Sequence, residues 1–158
     1  MFARLGPAQP AQGADVIARA VGALALAALA VIHVVDLPGT LGPTPLVGAG
    51  YLAIIAAAVV TGGLMITRSH WLAWAAAGGV AASAMGGYVL TRAVPGGFLG
   101  DHTDVGNWRC PLGITALSVE AILILLVVLA AWQARSRRTT PQPQPEPARP
   151  RTPEFSQR

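Results

Sequence analysis

The chain contains no lysine, a single cysteine and very little charge of either sign. Charged residues make up 11% of its 158 positions, well under half the share found in soluble domains. That shortage excludes an ordinary water-facing surface. Together with 53% hydrophobic residues and a mean hydropathy of +0.54, it points to a membrane protein. One cysteine, Cys110, excludes an internal disulfide. The chain has no CxxC or HxxxH spacing, so a zinc site of the usual kind is not expected. Nothing resembles a phosphate-binding loop, a hydrolytic triad or a nucleic-acid surface. Neither an enzyme nor a nucleic-acid partner is expected, and no cofactor. Arginine supplies every basic residue. With heavy use of Ala, Gly and Pro, this reflects a GC-rich source rather than a function.

What is present is apolar and long. A hydrocarbon core of about 30 Å needs roughly 20 apolar residues in a helix. Four segments qualify: residues 16–35, 46–67, 71–91 and 111–132. The first is longer than the usual apolar run of a secretory signal and is read as a true span. The expected fold is all-α, a four-transmembrane-helix bundle over residues 16–133. It follows an N-terminal segment, 1–15, and precedes a disordered Pro/Arg-rich tail, 134–158. If the spans alternate, Arg4, Arg19, Arg68 and the six arginines from Arg135 onward share one side, against Arg92 and Arg109 on the other. Positive residues stay inside. A plasma-membrane protein with both termini cytoplasmic is therefore expected, with Trp71, Trp74 and Trp132 at the inner interface and Tyr51 and Trp108 at the outer. The loop from Asp36 to Pro45 and the one from Arg92 to Cys110 would face outward.

Small residues recur at helical spacing. Gly78, Ala82 and Gly86 form one row of the third span, Gly79, Ser83 and Gly87 a second; Ala49, Ala53, Ala57 and Thr61 form a row on the second span. Such rows let helices approach closely in lipid. Another face of the third span carries Ala81, Met85, Tyr88 and Arg92.

The polar residues inside the spans stand out. Glu120 lies about 13 Å along the fourth span from Pro111, near the bilayer midplane. An ionised carboxylate there costs at least about 2.5 kcal/mol, so it must be neutral, paired or wetted. Cα–Cβ bonds tilt towards a helix's N-terminus. His33, Tyr88 and Arg92 on outward-running helices therefore lean towards Glu120 on an inward-running one. A polar cluster of His33, Tyr88, Arg92 and Glu120 is expected. It can act as a structural clamp tying the helices together, or as a protonatable site that relays protons or binds a cation. Asp36, one turn past His33, can pair with it. In the outer loop, Asp101, His102, Asp104 and Cys110 offer donors for a divalent metal, although Asp and His are also common turn residues. A bis-histidine haem lacks a second intramembrane histidine.

Three segments then act together: His33-Val-Val-Asp36-Leu-Pro38, Tyr88-Val-Leu-Thr-Arg92 followed by Pro95-Gly96, and Asp104-Val-Gly-Asn-Trp108 leading to Pro111-Leu-Gly113 and Glu120. In this order they resemble a group of uncharacterised four-span integral membrane proteins of actinobacteria. That group carries H-L-x-E-L-P-like, Y-V-L-S-R-x-x-G-L-P-G-like and P-L-G-x-x-S-x-x-x-E-like segments. The likeness covers roughly residues 30–130. Asp36 stands for Glu, Thr91 for Ser and Val94 for Gly. The resemblance implies that His33, Tyr88, Arg92, Trp108 and Glu120 belong to one recurring pattern. It implies no catalytic role.

The leading expectation is a non-enzymatic accessory or structural component of the membrane. Its partners would be the lipid bilayer and another membrane protein or a second copy. The competing expectation is a proton- or ion-coupled transport element using Glu120 and His33. A weaker third is an outer-face metal or haem binder.

Overall fold

The computed structural model describes residues 10–67 and 71–139. The Arg68-Ser69-His70 turn and the tail beyond residue 139 lie outside the described residues, as do the first nine positions. Four helices follow one another: α1 (Pro10–Leu41), α2 (Pro45–Thr67), α3 (Trp71–Ala93) and α4 (Pro111–Thr139). All four are long and apolar enough to cross a membrane. This is the all-α four-helix bundle expected of a multi-pass membrane protein.

Local chemistry sets the helix ends. Pro10, Pro45 and Pro111 occupy first helical positions, where a missing N–H costs nothing and a fixed φ helps. Pro95 follows α3 closely and stops it. Hydroxyl side chains bond back to the preceding turn, as Thr67 Oγ1 does to the Gly63 carbonyl and Ser118 Oγ to the Ile114 carbonyl. In lipid this satisfies those hydroxyls within their own helix.

Two helices outrun the spans read from hydropathy. α4 continues past Trp132 to Thr139, so residues 134–139 are helical rather than the start of a disordered tail. Arg, Ala and Gln propagate a helix well, and leaving hydrocarbon is not a stop signal. α1 likewise continues past Asp36 and through Pro38 to Leu41. The connection to α2 is therefore residues 42–44, not the expected loop from Asp36 to Pro45. Pro38 removes one backbone donor in the last turns. Thr40 Oγ1 donates to the Asp36 carbonyl at 3.0 Å, and Tyr51 of α2 donates to Asp36 Oδ2 at 2.9 Å, holding this extension in place. At Gly48 a Cβ would meet the Leu41 backbone at 2.8 Å, so glycine permits the close hairpin.

The helices form a ring in chain order. α1 packs most extensively on α2, and α3 on α4; the α1–α4 and α2–α3 seams are thinner. The buried core includes Leu26 and Leu29 of α1, Met65 of α2, Ala77 and Ala81 of α3, and Leu123 of α4. Large side chains such as Leu24, Val59, Ile66 and Leu125 point outward, as lipid allows.

The packing face of α3 is not the one the glycine rows indicated. Ala73, Ala77, Ala81 and Ala84 are buried, together with Arg92. At 100° per residue these positions and Tyr88 fall in a sector of about 100°. Ala82 is exposed, and nothing lies within 4 Å of a Cβ built at Gly79, Gly86 or Gly87. Only Gly78 of those rows meets a neighbour, Val127 of α4. On α2, Ala49 and Ala53 are exposed while Thr61 is buried. The reason is polar: a helix rotates to remove Arg92 from lipid, and the residues in phase with it become the interface.

An Ala77→Leu substitution should therefore overpack the bundle and cost about 1–3 kcal/mol. Ala82→Leu should be close to neutral. Thermal unfolding in detergent checks this. Equal midpoints for the two variants would contradict the assigned face.

Candidate functional site

The helix ends carrying residues 42–44 and 94–110, here termed the loop end, hold most of the buried polar side chains, among them Thr44, Thr91, Arg92 and Asp101. Arg92, 7% exposed in the last turn of α3, organises them. Its Nε donates to the Asn107 carbonyl at 3.1 Å and its Nη1 to Thr91 Oγ1 at 2.7 Å. Its Nη2 lies 3.1 Å from Asp104 Oδ2. The guanidinium sits 3.7 Å over the Tyr88 ring, a cation–π contact. The Arg92 carbonyl accepts from Gly106 N. Tyr88 in turn donates to the Trp108 carbonyl at 3.1 Å, and its ring meets Trp108 edge-on. Gly113 at the start of α4 lies against that ring, where a Cβ would collide with it.

The loop is built to receive these contacts. Leu99, Gly96, Gly97, Gly100 and Gly106 all have positive φ, so the chain reverses repeatedly within a short length. Asp101, 4% exposed, accepts on Oδ1 from the backbone N–H groups of Thr103 and Asp104 and from the Thr103 hydroxyl. It is a turn-forming aspartate. His102 is exposed. Among the described residues no group of three His, Cys, Asp or Glu side chains is placed to hold a metal.

A second polar set joins α1 and α2. His33 Nδ1 lies 2.9 Å from the Leu29 carbonyl. A carbonyl only accepts, so Nδ1 carries the hydrogen in this contact. The ring packs edge-on against Tyr51, centroids 4.8 Å apart. Tyr51 is the residue that bonds Asp36. Asp36 thus takes the tyrosine hydroxyl rather than the expected histidine.

Between these sets lies a cavity of about 930 Å³. His33, Asp36, Tyr51, Tyr88, Arg92 and Glu120 line it, so all four members of the expected cluster face one space. Of these four, Tyr88 and Arg92 touch directly. The small-residue row Gly79, Ser83 and Gly87 lines the cavity instead of gripping a neighbouring helix. Gly50 and Ala53 on α2 and Ala76, Gly79 and Ser83 on α3 line it too and are exposed. The cavity therefore opens sideways through the thin α2–α3 seam.

Glu120 faces this space from α4, on the stripe Gly113, Ala116, Glu120. It is 1% exposed, and its Oε2 has no hydrogen-bond partner among the described residues. The ion pair of Arg92 is made with Asp104 of the loop, and the tyrosine hydroxyl of Tyr88 is spent on Trp108. The sequence carried no sign of the Arg92–Asp104 pair beyond two opposite charges near one end of the bundle. Tyr51, read as an interface aromatic, proves to be a cavity wall.

Comparison of the chain with family models, with curated proteins and with solved structures finds no match. The reading of its function therefore stands on the site itself.

Arg92→Leu should free the loop, because the hydrogen bond to the Asn107 carbonyl and the ion pair with Asp104 vanish together. The loss should fall below the roughly 3–5 kcal/mol of a fully buried pair, since the Asp104 side chain is 30% exposed. Cys110, at the end of the loop, is the only thiol. Its maleimide labelling rate should rise at least about tenfold in Arg92→Leu, and less in Arg92→Lys, which keeps the charge without the planar fork. An unchanged rate in Arg92→Leu would refute the anchoring role.

Proposed function

We propose that this is a non-enzymatic protein of the plasma membrane whose bundle holds an amphipathic small molecule at the loop end. One observation carries the reading: a cavity of about 930 Å³ with polar groups at its loop end and a lateral opening between α2 and α3. Its size lies within the range of pockets that bury drug-sized ligands. A ligand dissolved in lipid reaches such a site without crossing water.

The arginine distribution supports an orientation with both termini in the cytoplasm and the cavity in the outer half of the membrane. Nine arginines fall on the terminal side, against Arg92 and Arg109 on the other. Arg92 is moreover paired with Asp104, so the pair carries little net charge. The exposed apolar side chains of all four helices are accounted for by contact with lipid. The ordered run of motifs through His33, Arg92 and Glu120 supports kinship with the actinobacterial four-span group. A second reading, proton or ion coupling through Glu120, is favoured by the unpartnered carboxyl oxygen alone.

Gly79 lines the opening and has nothing within 4 Å of a built Cβ. Gly79→Trp should therefore fill the cavity without disturbing the helix interfaces. Native mass spectrometry of protein released from mild detergent should show a retained small-molecule adduct on the parent chain and none on Gly79→Trp. Folded parent protein with no adduct, or equal adducts on both, would sink the binding reading.

A further inference from the structure

The charge balance of the cavity wall deepens that reading, on which this inference rests. Four carboxylates line the cavity, Asp36, Asp101, Asp104 and Glu120, against one arginine, Arg92, and the imidazole of His33. Two of the carboxylates are satisfied by the protein. Asp104 holds Arg92, and Asp101 accepts three loop donors. The other two are not matched by a cation. Asp36 accepts only the neutral Tyr51 hydroxyl, and Glu120 Oε2, on a residue 1% exposed, accepts nothing among the described residues. A buried carboxyl without a partner is costly in any protein and more so in hydrocarbon. Both face the same space, Asp36 from α1 and Glu120 from the neighbouring α4. Tyr51, whose ring attracts cations, lines the cavity from α2.

We infer that the cavity selects a lipophilic cation, an amphipathic amine or onium ion that enters sideways between α2 and α3 and sets its positive centre between Asp36 and Glu120. Anions are disfavoured because the arginine that would hold them is already spent on Asp104, Thr91 and Asn107. Neutral amphiphiles leave the two carboxyls without a counter-charge.

Equilibrium binding of radiolabelled tetraphenylphosphonium to the full chain in dodecyl maltoside tests this. Triphenylphosphine oxide serves as a neutral probe of similar bulk. Saturable binding of the cation is expected, with affinity at least about tenfold above that of the neutral probe. Glu120→Gln and Asp36→Asn should each weaken the cation about tenfold or more and leave the neutral probe unchanged. Glu120→Asp, which keeps the charge, should retain most of the affinity and shows that loss in Glu120→Gln is not misfolding. Gly79→Trp should abolish binding of both probes. Equal affinity for the two probes, both lost in Gly79→Trp, would overturn the cation inference and leave the ligand-binding reading standing. Unchanged cation affinity in both carboxyl variants would overturn it likewise. Binding of neither probe to folded protein, with no adduct on the parent chain, would overturn both readings.

Discussion

The structure depends on one buried charge. Arg92 sits in the last turn of α3 with 7% of its surface exposed, where a buried guanidinium left without partners is costly. Everything near it serves to meet that cost. α3 rotates to turn Arg92 inward, which makes Ala77, Ala81 and Ala84 the packing face. The loop after α3 folds back so that Asp104 and the Asn107 carbonyl reach the guanidinium. Its four positive-φ glycines are what make that return compact. Tyr88 stacks beneath Arg92 and ties the loop's far end through Trp108. A single electrostatic requirement thus sets the rotation of a helix, the path of a loop and the roof of the cavity.

The cavity follows from the same rotation. With the alanine face packed, the row Gly79, Ser83, Gly87 is left facing α2 across a gap. Small side chains that permit close contact elsewhere here leave room. The exposed lining residues of α2 and α3 place the opening at the seam between them. Opposite it, α4 presents Glu120 to the gap. Glu120 is therefore not the bond that holds the bundle together. That task falls to Arg92 and Asp104 at the loop end and to the Leu26, Met65 and Leu123 core below.

Much of the fold is legible because lipid simplifies the physics. An apolar run of about 20 residues flanked by Pro, Gly or Arg has one stable form in hydrocarbon, a helix that satisfies its own backbone. The spans over 46–67 and 71–91 match α2 and α3 to within two residues, since Pro45, Arg68 and Pro95 lie close to their ends in the sequence. Hydropathy could not locate the ends of α1 and α4. It reports where lipid stops, whereas Asp36, Thr40 and the arginine-bearing end of α4 continue their helices beyond that point.

What the sequence alone determined was the number of helices, their order, and which polar residues had to avoid lipid: His33, Arg92 and Glu120 each prove buried. These are properties of one segment in one solvent. The tertiary structure alone decided the partners. Whether Arg92 meets Glu120 or Asp104, and whether a glycine row grips a helix or borders a void, depends on the relative rotation of four helices. Each helix offers several faces of nearly equal apolarity, and only their mutual packing, together with the reach of a folded loop, chooses among them.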